Sequence, residues 1–129
     1  MAGTNIKYSF VGNANRCLNG CAAQTISPNG NAGVDGMISV IAHELEEAAS
    51  DPQLNAWYDS SGAENADKCA WTFGTTYAAS GGGVANLRLG SRDYLVQQNW
   101  NAGTNQKCAL SYPRSSDQNG RDPAGSRPF

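Results

Sequence analysis

Basic residues are scarce in this 129-residue chain, which has nine lysines and arginines against eleven aspartates and glutamates and a formal net charge of −2. The nine basic residues are scattered singly along the sequence. Proteins that bind nucleic acid need clustered Lys and Arg to neutralise phosphates. The composition therefore predicts no nucleic-acid partner.

Long apolar runs are also missing. A helix that spans a bilayer needs roughly 18 or more consecutive apolar residues, and no such run exists, so we expect no membrane span. The opening M-A-G-T-N-I-K lacks the basic and apolar regions of an export signal. We therefore expect either a cytosolic chain or a shortened form of a longer precursor.

Histidine occurs only once, as His43. With one histidine and no G-x-S-x-G motif, a serine hydrolase has little support. The glycine-rich A-S-G-G-G-V segment lacks the lysine and the strand-to-helix context of a phosphate-binding loop. Both of these enzyme classes are therefore disfavoured.

The length fits one domain, which we place at residues 1–112. Fifteen glycines and many Asn and Ser residues indicate loops and short strands rather than a helical bundle. Residues 113–129 are rich in Ser, Asp, Gly, Arg and Pro, and we expect them to form a disordered tail.

One long helix is predicted within residues 34–52, with Asp35 as its N-cap and Pro52 ending it. Its apolar residues recur at steps of four, three, four and three, which is the spacing of one buried helix stripe. These residues are Val34, Ile38, Ile41, Leu45 and Ala48.

His43 and Glu47 lie four residues apart on one face of this helix, almost opposite the apolar stripe, with Glu44 beside them. One interpretation is a solvated polar face, because acidic runs on exposed helices are common. The other is a metal site related to H-E-x-x-H, with Glu47 replacing the second histidine. A carboxylate there would make zinc a weaker Lewis acid, so binding is favoured over catalysis.

A second acidic pair, Glu64 and Asp67, is predicted on a short turn of helix capped by Ser60 or Ser61. Glu64 could stabilise the start of that helix while Asp67 is solvated. Alternatively, one of the two supplies a third metal ligand beside His43 and Glu47. With this many carboxylates, calcium is an alternative to zinc.

The four cysteines allow three disulfide pairings. We favour Cys17 with Cys21 and Cys69 with Cys108 over a four-thiolate zinc site, because C-x3-C with two isolated partners lacks the paired short spacing of such sites. Two disulfides predict an oxidising, extracellular setting.

Most of the remaining chain is expected to be β-rich. We predict strands at residues 7–11, 70–77, 84–89 and 108–112, and a short helix at residues 91–100. Leu54, Trp57 and Tyr58 are expected to pack beneath the main helix.

Several motifs together resemble the phosphate-induced protein 1 family, also called Exordium-like, and its bacterial relatives. They are D-G-M-I-S-V-I-A-H-E-L-E-E-A-A-S-D-P-Q-L-N-A-W-Y, E-N-A-D-K-C, G-S-R-D-Y-L-V-Q-Q-N-W and an upstream Y-S-F-V-G-N followed by C-x3-C. The resemblance implies a secreted or cell-wall protein linked in plants to growth responses. Members are usually longer, so the chain looks like a C-terminal half.

The H-E-L-x-E motif followed by E-x-x-D also resembles zincin metallopeptidases of the glutamate-ligand type. That resemblance implies His43 and Glu47 as ligands, Glu64 or Asp67 as the downstream acid, and Glu44 as general base.

We therefore expect an α+β, zincin-like domain with a central amphipathic helix packed on a small mixed or antiparallel sheet and pinned by disulfides. The predicted function is a secreted, zinc-dependent hydrolase of peptide or protein substrates. The alternative is a non-catalytic extracellular interaction or signalling module. The sequence leaves the oligomeric state open.

Overall fold

A computed structural model describes residue 3, residue 6, residues 8–103 and residues 106–111. These residues form an α+β structure with one long helix, short antiparallel strands and two disulfides, which confirms the predicted class. The predicted tail at residues 113–129 lies outside the described residues. Instead of one sheet, the described strands form three separate two-stranded sheets.

The helical elements of the described residues are two short 3-10 turns and two α-helices. They are the turn Ala14–Arg16, α1 Leu18–Cys21, α2 Ala32–Ser50 and the turn Asp67–Cys69. The strands pair in chain order as β1 with β2, β3 with β4 and β5 with β6. They are β1 Tyr77–Ala78, β2 Val84–Ala85, β3 Leu87–Leu89, β4 Arg92–Tyr94, β5 Asn99–Asn101 and β6 Lys107–Ala109.

Helix α2 begins at Ala32, four residues earlier than a cap at Asp35 would allow. Asn31 is the N-cap, and its side chain accepts a hydrogen bond from Val34 N at 3.1 Å. Asp35 lies inside the first turn and accepts from Ser27 and Asn29, so its prediction as N-cap is wrong. The predicted end is confirmed, since α2 stops at Ser50, two residues before proline.

The apolar stripe of α2 faces outward, which contradicts the prediction that it is buried. Val34 is 41% exposed, Ile41 42% and Leu45 68%. The buried residues of α2 are the small Gly33, Gly36 and Ser39. A Cβ added at Gly36 would lie 2.9 Å from Ala22 Cβ. The neighbouring chain approaches this face so closely that large side chains do not fit there.

The predicted short helix at residues 91–100 is wrong, because this segment contains β4, an extended stretch and the start of β5. Gly90, with φ of 60°, makes the tight turn between β3 and β4. Of the predicted strand at residues 70–77 only Tyr77 is in β1, while residues 84–89 contain β2 and β3 as a returning segment. Residues 8–11 form no strand. Of the strand predicted at residues 108–112, residues 108 and 109 lie in β6, whereas residues 110 and 111 do not lie in a strand.

Asparagine side chains hold the segment from β4 to β5 in place. Each of three asparagines donates to a backbone carbonyl and accepts from a backbone N–H of the same residue, as a neighbouring strand would. The pairs are Asn29 with Asp93, Asn86 with Val96 and Asn65 with Trp100. Asparagine side chains thus satisfy backbone N–H and C=O groups that would be paired with a neighbouring strand in a continuous sheet.

In the part of the chain that the structure describes, the buried apolar residues are few and mostly small. They are Ala14, Ala66, Cys69, Ala79, Ala85, Leu95 and Val96. Leu54, Trp57 and Tyr58 are 79%, 44% and 57% exposed, so their predicted packing beneath α2 is wrong. Both predicted disulfides, Cys17–Cys21 and Cys69–Cys108, are confirmed.

Candidate functional site

His43 lies on the inner face of α2, where it meets two carboxylates. Its Nε2 is 3.0 Å from Glu47 Oε1 and 3.4 Å from Asp67 Oδ1. The His43 and Glu47 side chains are 20% and 13% exposed, whereas Asp67 is 47% exposed. One nitrogen or oxygen atom from each of these three residues lies within 4.8 Å of the others. Three of the four predicted ligands therefore come together.

Two hydrogen bonds bring Asp67 to this position at the start of its 3-10 turn. Its backbone N–H donates to Glu47 Oε1 at 3.3 Å, and its Oδ2 accepts from Glu64 N at 3.3 Å. The helical turn predicted to be capped by Ser60 or Ser61 is absent from this part of the described chain. Both serines precede the 3-10 turn Asp67–Cys69, and Ser61 donates to Asp59 instead of capping a helix.

Gln97 contacts the other side of the imidazole, and sequence reasoning missed it. Its Nε2 lies 3.1 Å from His43 Nδ1 and donates to Ala66 O at 3.0 Å. Its Oε1 accepts from Trp71 N at 3.1 Å, and its backbone N–H donates to Ser39 Oγ. Gln97 lies within the G-S-R-D-Y-L-V-Q-Q-N-W motif. Nothing in that motif places it beside His43, because the contacts of Gln97 join segments far apart in the chain.

These contacts fix which way the Gln97 amide points. Only an oxygen can accept from Trp71 N–H, and only a nitrogen can donate to Ala66 C=O. The amide nitrogen therefore faces His43 Nδ1 and donates to it. The neutral imidazole then carries its proton on Nε2, which donates to Glu47.

Trp71, which donates to Gln97, has a φ of 60°, a left-handed conformation that is rare for a residue with a large side chain. Trp71 is 58% exposed. Together these residues border a cleft of about 280 Å³ between α2 and the chain around the 3-10 turn Asp67–Cys69. Its polar lining comprises Ser39, His43, Glu44, Asp67 and Gln97.

Burial, together with neighbouring carboxylates, raises the pKa values of two acids near the cleft. Burial raises the pKa of Glu47, and the negative charges of Asp67 and Glu64 act in the same direction, while His43 opposes them. The pKa of Glu64 is raised by burial and by the charges of Asp51, Asp67 and Glu44. A cation approaching this region would relieve the repulsion.

The remaining predicted site residues lie at the edge of the group. Glu44 is exposed, borders the cleft and also lines an adjacent open groove of about 510 Å³. Glu64 lines the groove, and a positive charge on His43 would lower the pKa of Glu64. In the described part of the chain, the carboxylate of Glu64 is not among the atoms grouped around His43 Nε2.

Comparison with known proteins places the chain in a family. Residues 1–110 match the family described as "Phosphate-induced protein 1 conserved region". The chain belongs to the phosphate-induced protein 1 family. The resemblance noted from the sequence motifs is thereby confirmed at the level of the family.

Two curated proteins from Arabidopsis thaliana are similar to this chain. Protein EXORDIUM-like 3 is 35% identical in an alignment of 126 positions that covers 78% of this chain and 37% of that protein. Protein EXORDIUM-like 5 is 32% identical in an alignment of 149 positions that covers 91% of this chain and 39% of that protein. The chain thus spans less than two fifths of the length of these relatives.

No solved structure matches this family member, so the zincin resemblance stays a prediction. Within residues 8–103 and the other described positions, no helix is both long and apolar enough to cross a membrane.

Proposed function

We propose that this chain is a non-catalytic extracellular interaction module, in which the group around His43 is an internal hydrogen-bonded tie. The observation that carries the proposal is the Gln97 amide nitrogen facing His43 Nδ1. In this arrangement the imidazole links α2 through Glu47, the 3-10 turn through Asp67, and the β4 to β5 segment through Gln97.

Zinc would need the lone pair of a deprotonated His43 nitrogen. The nitrogen that faces Glu47 and Asp67 is Nε2, and the donor at Nδ1 keeps the proton on Nε2. Histidines that bind zinc through one nitrogen usually donate their other N–H to a carboxylate or carbonyl. Here the partner of Nδ1 is itself a hydrogen-bond donor, the Gln97 amide nitrogen. The surroundings of His43 therefore do not fit a zinc ion bound at Nε2.

Glu44 also lacks the surroundings of a general base. A general base must reach the proton that it removes, directly or through one water. Glu44 lies on the exposed edge of α2, and the carboxylates grouped with His43 are those of Glu47 and Asp67. This arrangement favours a solvated Glu44.

The two disulfides support an extracellular setting for the module, because disulfides persist in oxidising compartments. The exposed apolar and aromatic side chains, among them Leu45, Tyr58 and Trp71, support a role in binding another macromolecule.

A second candidate is a metal-dependent hydrolase, and the proximity of His43 Nε2, Glu47 and Asp67 favours it. His43, Glu47 and Asp67 would hold zinc, which would polarise a peptide carbonyl, and Glu44 would accept a proton. Calcium would use the carboxylates without the imidazole. The zinc form requires Gln97 to release Nδ1 so that Nε2 can lose its proton.

Metal binding and peptide hydrolysis separate the two candidates. We would measure zinc and calcium binding by calorimetry for the wild type and for His43→Gln, and hydrolysis of a mixed peptide library for the wild type and Glu44→Gln. The module predicts no stoichiometric zinc and the same background hydrolysis in both proteins. One zinc per chain that His43→Gln abolishes, together with hydrolysis that Glu44→Gln abolishes, would establish the hydrolase.

A further inference from the structure

We propose that the outer face of α2 is a docking surface for a basic amphipathic polypeptide segment. This inference rests on the proposed role as an interaction module and names the chemistry of its partner. We call the surface the outer seam, and it consists of Val34, Ile38, Ile41, Leu45 and Ala48.

The outer seam has the geometry of a helix-packing surface. Its steps of four, three, four and three residues are those of the a and d positions of a heptad, which align along one side of a helix. The side chain of Leu45 is 68% exposed and those of Val34 and Ile41 are 41% and 42% exposed. A second helix crossing at a shallow angle of about 20° could bury this ridge along several turns.

The charges beside the outer seam favour a cationic partner. Helix α2 carries Asp35, Glu44, Glu46 and Glu47 but no Lys or Arg. At about 100° per residue, Glu44 lies on one flank of the seam and Glu46 on the other. A partner with Lys or Arg beside its apolar residues would pair with both flanks.

The groove beside the C-terminal half of α2 extends the same chemistry. Glu44, Glu47, Asp51 and Glu64 line it, and Ala48 connects it to the outer seam. Tyr8 and Phe10, which are 93% and 92% exposed, also line this groove. Carboxylates next to aromatic rings can hold a Lys or Arg side chain by ion pairing and by contact with the ring face. A basic side chain from the docked segment fits this groove.

A second copy of this chain is a poorer occupant. Two outer seams packed together would bring two acidic flanks into contact without basic residues on either α2. Like charges across an interface oppose association. The partner is therefore a different polypeptide segment, and the relatives carry most of their own length outside the matched region, where such a segment could occur.

Two synthetic helical peptides test the proposal. Both carry Leu at the same three- and four-residue steps, and they differ in carrying Lys or Glu at every flanking position. We expect the full chain to bind the Leu/Lys peptide saturably in fluorescence anisotropy and not to bind the Leu/Glu peptide. Leu45→Asp should weaken Leu/Lys binding by about tenfold or more, since a buried leucine contributes at least that much.

Leu89→Asp is the matched control, because Leu89 is 55% exposed but lies on β3 and not on α2. It should leave binding unchanged. Equal weakening by both variants, equal binding of both peptides, or no saturable binding would overturn the proposal. Sedimentation equilibrium that shows a wild-type dimer lost in Leu45→Asp would assign the seam to a second copy. None of these outcomes affects the proposed function, which fails instead on hydrolysis that depends on Glu44.

Discussion

At the scale of single residues, the identity of the atom next to His43 Nδ1 determines what this site can do. The distances from Nε2 to Glu47 and Asp67 suit either a metal centre or a hydrogen-bonded tie. The sequence could indicate His43 and Glu47, because helical periodicity puts them on one face. It could not indicate Gln97, which reaches His43 from 54 residues further along the chain.

Removal of the imidazole tests the tie. His43→Ala leaves the Gln97 amide and the largely buried Glu47 without this partner, so we expect a loss of about 1–3 kcal/mol in the free energy of unfolding. Glu44→Ala, on the exposed edge of the same helix, should change it by no more than about 0.5 kcal/mol. Urea unfolding with both disulfides intact measures the two values. Equal losses would contradict the assignment.

We expect Asp93 to contribute to the loss of folding stability at acidic pH. Hydrogen bonds from Arg88, at 2.8 and 3.1 Å, and from Tyr77 lower the pKa of Asp93 below its ordinary 3.8. A lowered acid pKa stabilises the fold above the unfolded-state value, and this stabilisation is lost as pH falls through the folded-state value. Glu47, whose pKa is raised, acts in the opposite direction.

We therefore expect the thermal unfolding temperature of the wild type to fall more steeply below about pH 4 than that of Asp93→Asn, because the variant has no carboxylate to protonate at this position. At neutral pH the variant should be the less stable of the two, because it gives up a charged partner of Arg88. Parallel pH profiles for the two proteins would show that Asp93 has no such role.

At the scale of elements, the position of α2 could be predicted but its orientation could not. Pro52 predicts the end of the helix, and the spacing of the apolar residues predicts that a helix forms here. The usual rule buries the apolar stripe. Here Gly33 and Gly36 let the chain around α1 approach the opposite face, and only tertiary contacts reveal that approach.

Gly36→Ala tests the close approach. Its new Cβ would lie 2.9 Å from Ala22 Cβ, so we expect destabilisation by about 1–3 kcal/mol from overpacking, reduced by up to about 1 kcal/mol through better helix propensity. Gly20→Ala is the control, because a Cβ there meets nothing within 4 Å. It should be neutral or slightly stabilising. Chemical denaturation that ranks the two variants in the reverse order would refute the inward orientation of this face.

The β elements could be predicted only in part, for a physical reason. Strand periodicity needs several residues, whereas these strands are two or three residues long. Their positions depend on asparagine side chains, such as Asn86, that bond to distant backbone groups. A single sequence carries no local signal for such contacts, so residues 91–100 resembled a helix.

At the scale of the whole molecule, disulfides add to a small core. The Cys69–Cys108 disulfide joins the 3-10 turn to β6 and closes a loop between residues 39 positions apart in the sequence. The Cys17–Cys21 disulfide closes a loop between residues only four positions apart. The loop-entropy relation gives about 4 kcal/mol for the long loop and about 2 kcal/mol for the short one. Their predicted pairing followed from sequence spacing and is correct.

Replacing each pair by alanine compares the two bridges. We expect Cys69→Ala/Cys108→Ala to lower the free energy of unfolding by about 2 kcal/mol more than Cys17→Ala/Cys21→Ala does. Denaturant unfolding of both double variants beside the wild type measures the difference. A larger loss for the Cys17–Cys21 pair would show that local structure, rather than loop length, sets the contribution.

The most direct test of the account is the tautomer of His43, measured by long-range ¹H–¹⁵N NMR. His43 is the single histidine of the chain, so its ring signals need no further assignment. For the neutral ring we predict a protonated Nε2, an unprotonated Nδ1 and no change on adding zinc. A proton on Nδ1, with an Nε2 signal that shifts stoichiometrically with zinc, would contradict the internal tie and support a metal centre.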